Sequence, residues 1–122
     1  MKKLEEIINE DQFDWSPSSG TREKKLGHST ITYGVGKNKD TELTLIQTDK
    51  GHLGKGEATK AMQAFTSEAD KHKHTINLTA APVYKGSDIN KLRSFYHKHG
   101  FEDNGEENNG WKVYYKMKRN PR

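Results

Sequence analysis

Glu42 to Thr48 reads as a strand, Asp49-Lys50-Gly51-His52-Leu53-Gly54-Lys55-Gly56 as a turn, and the residues beyond as a helix, an order that restricts the fold more than any other feature. After the turn Ala58, Ala61, Met62, Phe65 and Ala69 recur at helical spacing and make one apolar face. A strand, a glycine turn and a helix in that order aim the backbone N–H groups of the helix start at whatever lies above the turn. The macrodipole adds about half a positive charge there, so a phosphate or pyrophosphate is the expected guest. Glycine lets such a group approach the backbone closely.

Two common phosphate motifs fail at this turn. A P-loop needs Lys and then Ser or Thr after its last glycine, where this chain has Glu57 and Ala58. A dinucleotide fingerprint needs a third glycine where Thr59 stands.

Elsewhere the pattern alternates between strand and helix. Leu4, Ile7 and Ile8 predict a short opening helix, which Trp15 to Gly20 breaks with turn formers. Ile31, Tyr33 and Val35 alternate with Thr and Gly, and Gly36 to Asp40 turns the chain into the Glu42–Thr48 run, so a hairpin is expected. The long helix should fade over Asp70 to His74, and Thr75 to Thr79 resumes as a strand that Pro82 closes. Asp88 would cap a second helix with Ile89, Leu92, Phe95 and Tyr96 on one face and Gly100 at its end. Phe101 starts another strand, Asp103 to Asn109 reads as an acidic solvated hairpin loop, and Trp111 to Lys118 alternates as a half-buried strand.

Composition bounds what such a chain can hold. Its length of 122 residues predicts one domain. Leu, Ile, Val and Phe make up about one residue in six, below the roughly 20% level at which folding becomes marginal. A thin core is expected, with a bound cofactor adding stability by linkage, about 2.7 kcal/mol at a hundredfold excess over its dissociation constant. The absence of cysteine rules out disulfides, thiolate metal sites and a cysteine nucleophile. The opening MKKLEEIINE has no long apolar run, so neither a signal peptide nor a membrane span is read there and a cytoplasmic location is expected. Twenty-one Lys and Arg against 17 Asp and Glu are mostly interleaved, the pattern of a solvated surface rather than a nucleic-acid stripe.

Leu53-Gly54-Lys55-Gly56-Glu57-Ala58 resembles the coenzyme A turn of the GNAT superfamily of N-acetyltransferases, Q/R-x-x-G-x-G/A, with Gly56 and Ala58 at the two small positions. Leu53 stands where the family has Gln or Arg, so Lys50, Lys55 or Lys60 would replace that pyrophosphate contact. Leu92 to Phe101 resembles the later signature of the same family, in which a tyrosine, here Tyr96, precedes Gly-Phe. Ile89 and Leu92 occupy places where the family often has Asn and Ala, and Asn90 lies one step out of register. The resemblance covers Glu42 to Lys118.

It implies an α/β (α+β) domain with a mixed, mainly antiparallel sheet flanked by helices. It further implies acetyl-coenzyme A as cosubstrate, contacted by Ile46, Gln47 and Thr48 on the strand and by Leu53, Gly54, Lys55, Gly56, Glu57, Ala58 and Thr59 at the turn. An amine, on a small molecule or a protein, would attack the thioester directly, with the oxygen held by a backbone N–H near Gln47 or Thr48. Tyr96 is the candidate general acid for the thiolate, and Glu42, ahead of Asp49 or His52, the candidate base. The rival expectation is the same fold without catalysis, binding coenzyme A, a protein or nucleic acid; a homodimer suits a thin core.

Other constellations carry less. His72-x-His74 and His97-x-His99 diverge by about 200° on a helix, and no carboxylate spacing completes a metal site. Ser16 to Ser19 lacks the surroundings of a serine nucleophile.

Overall fold

The computed structural model describes residues 11–52, 54–80, 89–110 and 112–122. Among these residues, six strands and two helices follow one another as β1 (Arg22–Leu26), β2 (Ser29–Val35), β3 (Asp40–Thr48), α1 (Glu57–Lys71), β4 (Thr75–Ala80), α2 (Ile89–Lys98), β5 (Glu102–Asn109) and β6 (Lys112–Arg119). They form one sheet in the order β1-β2-β3-β4-β6-β5, antiparallel throughout except for the parallel pair β3–β4 that α1 connects. That connection is a strand–helix–strand crossover, which a parallel pair requires.

The strands are buried on one side. Ile31, Tyr33 and Val35 of β2, Leu43 of β3, Ile76, Leu78 and Ala80 of β4 and Met117 of β6 join Ala61, Met62, Phe65 and Ala69 of α1 and Tyr96 of α2 in one core. The expected α1 face is thus the buried one, and the helix ends at Lys71, inside the expected limit. Gly100 ends α2 with φ 92°, its N–H bonded to the His97 carbonyl at 3.0 Å and that of Phe101 to Tyr96 at 3.1 Å.

Two elements differ from the sequence reading. Asp103 to Asn109 lies within strand β5, paired with β6 from Glu102↔Lys118 to Asn109↔Lys112, not in a solvated loop. Its residues are polar because it is an edge strand with both faces wet, so no apolar alternation marks it. Strand β1, REKKL, went unread for the same reason. The segment before it supplies core: Phe13 and Trp15 are buried against Tyr33 and Phe65. The opening helix of Leu4, Ile7 and Ile8, the closing Pro82, the Asp88 cap, Trp111 and Leu53 lie outside the described residues.

Candidate functional site

The sheet opens at its centre. β3 and β4 pair only from Asp40↔Thr75 to Leu43↔Leu78, although β3 runs on to Thr48. Beyond Leu43 the edge of β3 toward β4 has no strand partner among the described residues, which leaves backbone donors and acceptors of alternate residues available there. A β-bulge sits at the same place: Thr32 pairs with Leu45 but Tyr33 with Leu43, so Thr44 is the extra residue. The bulge reverses which side chains face the core. Thr41 and Leu43 are buried, whereas Leu45 beyond the bulge is 49% exposed and Ile46 turns to the core instead.

The glycine turn follows β3. Gly51, Gly54 and Gly56 all have positive φ, of 95°, 76° and 77°, a region in which side chains are strained. Gly56 is the N-cap of α1 and offers no side chain to the first-turn amides; the first helical bond is Lys60 N–H to the Gly56 carbonyl at 3.1 Å. Glu57 adds a carboxylate in the first turn, favourable to the dipole, and its Oε2 accepts the His28 amide at 3.4 Å. The turn into the loop is tied down: the Asp49 amide donates to His28 at 2.7 Å, and the imidazoles of His28 and His52 stack with centroids 3.5 Å apart. Asp49 pairs with Lys25 at 2.9 Å, and that hydrogen bond holds its carboxyl below the usual range.

Glu42 lies on the sheet face opposite the helices, directly across from Gly34 on β2 and Asn77 on β4. A cleft of about 470 Å³ opens beside it, and Glu42 and Asn77 also line a smaller cleft of about 220 Å³ toward Lys116 on β6. Among the described residues nothing holds the Glu42 carboxylate by hydrogen bond or ion pair. It stands one residue before the point where β3 and β4 part.

Tyr96 is on the other side. Its ring is 7% exposed, against Phe95 and Phe101, and burial pushes its phenol up to about 12. The four histidines noted as pairs go to separate partners: His72 to Asp11, His74 to Thr41, His97 to Asp103, and His99 into the packing beside Phe95.

Solved structures share this architecture. The ribosomal-protein-S18-alanine N-acetyltransferase from Escherichia coli matches with a TM-score of 0.67 at 15% identity, over 88% of this chain and 78% of that one. An aminoglycoside 6'-N-acetyltransferase complexed with coenzyme A matches with a TM-score of 0.64 at 16% identity, over 99% of this chain and 80% of that one. This chain has a divergent GNAT fold. The anti-CRISPR protein AcrVA5 also carries the GNAT architecture, with a TM-score of 0.61 at 17% identity over 81% of this chain and 97% of its own. Of a Desulfovibrio desulfuricans GNAT-family protein and of Ard1 from Thermoplasma volcanium, the chain spans 61% and 63% of the length. No protein-family model matches the sequence, and no curated protein does.

Within this GNAT frame Ile46, Gln47 and Thr48 border the gap, and Gly54, Lys55, Gly56, Glu57, Ala58 and Thr59 form the turn and helix start that follow. Sequence reading did not find Asn77, Thr44 or the wall of the cleft formed by Ser18 to Thr21, since no local spacing marks a residue that acts by lying across a sheet. No helix among the described residues is long and apolar enough to cross a membrane.

Proposed function

We propose that the chain is an acetyl-coenzyme A-dependent N-acetyltransferase whose cosubstrate occupies the gap between β3 and β4. The observation that carries this reading is the end of β3–β4 pairing at Leu43 and Leu78, one residue from the unengaged Glu42 and followed in the chain by an uncapped helix start. The residues suit the molecule. An added Cβ at Gly51, Gly54 or Gly56 would meet no atom within 4 Å, so a pyrophosphate has room to lie against the first-turn amides of α1. Lys50, Lys55 and Lys60 supply cations near that turn in place of the residue the family has at Leu53. The free edge of β3 from Thr44 to Thr48 offers strand-type hydrogen bonds to the amides of the pantetheine arm.

Acetyl-coenzyme A supplies the acyl group already activated as a thioester. The amine nitrogen bonds the acyl carbon and the C–S bond breaks, so that coenzyme A leaves as its thiolate; Glu42 takes the proton that the amine gives up, and a backbone N–H near Gln47 or Thr48 holds the oxygen that gains charge. Tyr96 with a pKa near 12 is fully protonated at neutral pH. Toward a thiolate of pKa about 8.5 it acts as a hydrogen-bond donor rather than a full proton source. Glu42 is preferred over Asp49 as base because the Lys25 pair makes Asp49 the weaker proton acceptor.

Thermal melting with acetyl-coenzyme A, followed by thiol release with a panel of amines, tests the reading. A rise in melting temperature at millimolar cosubstrate is expected; no rise would sink it. Tyr96→Phe should slow thiol release while leaving that rise in place.

The burial of Tyr96 favours a second reading, a GNAT-fold module that binds a protein partner without catalysis. Melting raised by the cosubstrate with no thiol release for any amine would favour it.

A further inference from the structure

Glycines contribute to the lining of the larger cleft on the uncovered sheet face, at Gly20, Gly34 and Gly36. Gly34 lies directly across from Glu42, and Gly36 donates its amide to the Asp40 carbonyl at 2.8 Å, closing the hairpin at that end. The segment before β1 crosses above: the Ser18 amide bonds the Val35 carbonyl at 3.1 Å, and the Gly20 carbonyl lies 3.2 Å from where a Cβ on Gly34 would stand. The cleft therefore has a sheet floor and a wall made by residues 18–21.

Its lining is unlike the rest of the molecule. In a chain with 21 Lys and Arg and a net charge of +4, no Lys, Arg or His among the described residues lines this cleft. Asp40 and Glu42, two apart on β3, put both their carboxylates on this face, and Ser18, Thr21, Thr44 and Asn77 surround them. Lys37 and Lys39 sit on the adjoining turn but outside the lining. The smaller cleft beyond Asn77 is lined in part by Lys116.

From this we infer that the cleft takes the acceptor, and that the acceptor is a compact, hydroxyl-bearing cationic amine of the amino-sugar kind. The inference rests on the acetyltransferase reading for its purpose, though not for the binding itself. Two carboxylates select the ammonium, and hydroxyl and amide side chains match hydroxyls by donating and accepting in turn. A volume of about 470 Å³ suits a small molecule. Seated between Asp40 and Glu42, the amine lies next to the parting of β3 and β4, with Glu42 positioned to take its proton.

The test is heteronuclear NMR on the full chain without acetyl-coenzyme A, titrated with glucosamine, with glucose, and with a lysine-containing peptide at mildly acidic pH. Glucosamine should shift the amides of Thr21, Gly34, Glu42 and Thr44, glucose should not, and the peptide should bind no tighter. Asp40→Asn should weaken glucosamine about threefold, the scale of an exposed ion pair, and Asp40→Lys more. Equal shifts with glucose, shifts confined to other residues, indifference to both Asp40 variants, or tighter binding of the peptide would each overturn the assignment. Binding in the cleft without thiol release leaves it standing and removes the transferase reading. Stabilisation by acetyl-coenzyme A with no amine in the cleft does the reverse.

Discussion

On the flank of α1, Glu68 accepts hydrogen bonds from the Gln12 and Phe13 amides and the Trp15 indole at 2.9, 3.0 and 3.1 Å; on the uncovered sheet face, Glu42 accepts none from the described residues. Two residues along, Asp70 receives both terminal nitrogens of Arg119, at 2.7 and 2.9 Å, and the Arg122 amide at 3.0 Å. Acids on the helix side hold three separate parts of the chain together: the segment before β1, the end of β6 and, through the bond from Arg119 Nε to the His99 carbonyl, the end of α2. A protein with so thin a core uses those carboxylates for architecture. Glu42, left unengaged beside a cleft, is available for chemistry.

Breaking the helix side should produce the largest effect. Arg119 is buried, so Asp70→Ala leaves a cation without its partner, at a cost of about 3 kcal/mol, seen as a lower urea midpoint. Burial alone would raise the Asp70 pKa, but the hydrogen bonds from Arg119 and Arg122 and their charges outweigh it and hold the carboxyl below its usual value. Its folded pKa being depressed, its contribution is complete above the unfolded value of about 3.9 and is lost as pH falls through the lower folded one. A wild-type midpoint that Asp70→Ala leaves unmoved would refute the architectural role.

Glu42→Gln sharpens the contrast from the other side. Stability should change by no more than about 0.5 kcal/mol, as for a surface position, while thiol release with an amine falls about a hundredfold. A loss of stability comparable to that of Asp70→Ala would place Glu42 among the structural acids instead. Glu68→Gln, which keeps shape but turns one acceptor oxygen into a donor, should cost about 1 to 2 kcal/mol and leave acetyl transfer per folded molecule unchanged.

The same contrast explains what the sequence disclosed. The α1 face, the β2–β3 hairpin, the α2 face and the glycine turn are local patterns of period or conformation, and each stands where the spacing put it. Strands β1 and β5 escaped because edge strands with two wet faces carry no apolar period, and their pairing is decided by β2 and β6. Phe13 and Trp15 escaped because two aromatics in a turn-rich segment become core only once Glu68 and Tyr33 fix the backbone around them. Glu42 was legible as a strand carboxylate, but its neighbours Gly34 and Asn77 come from two other strands and share no spacing with it.

The smallest predicted effect tests whether the helix side also sets the acid limit of the fold. His74 is buried, hydrogen-bonded through Nδ1 to Thr41 at 2.9 Å, with the Trp15 ring beside it; burial lowers its pKa first, and the Lys39 and His72 charges lower it further against the opposing pull of Asp40. His99 shifts the same way, by burial and then by Lys98 and Arg119. A histidine whose folded pKa is depressed binds its proton more readily when unfolded. The contribution is therefore nil well above the unfolded value of about 6.5, and stability falls as pH drops from there toward the folded pKa. The slope is bounded by about 1.4 kcal/mol per pH unit for each group. Urea midpoints across this range should fall with acidity, and His74→Asn should flatten the curve; an identical slope in that variant would assign the effect to His99. Glu42→Gln should leave the slope as it is, because the Thr41 bond of His74 and the Phe95 packing of His99 do not involve Glu42.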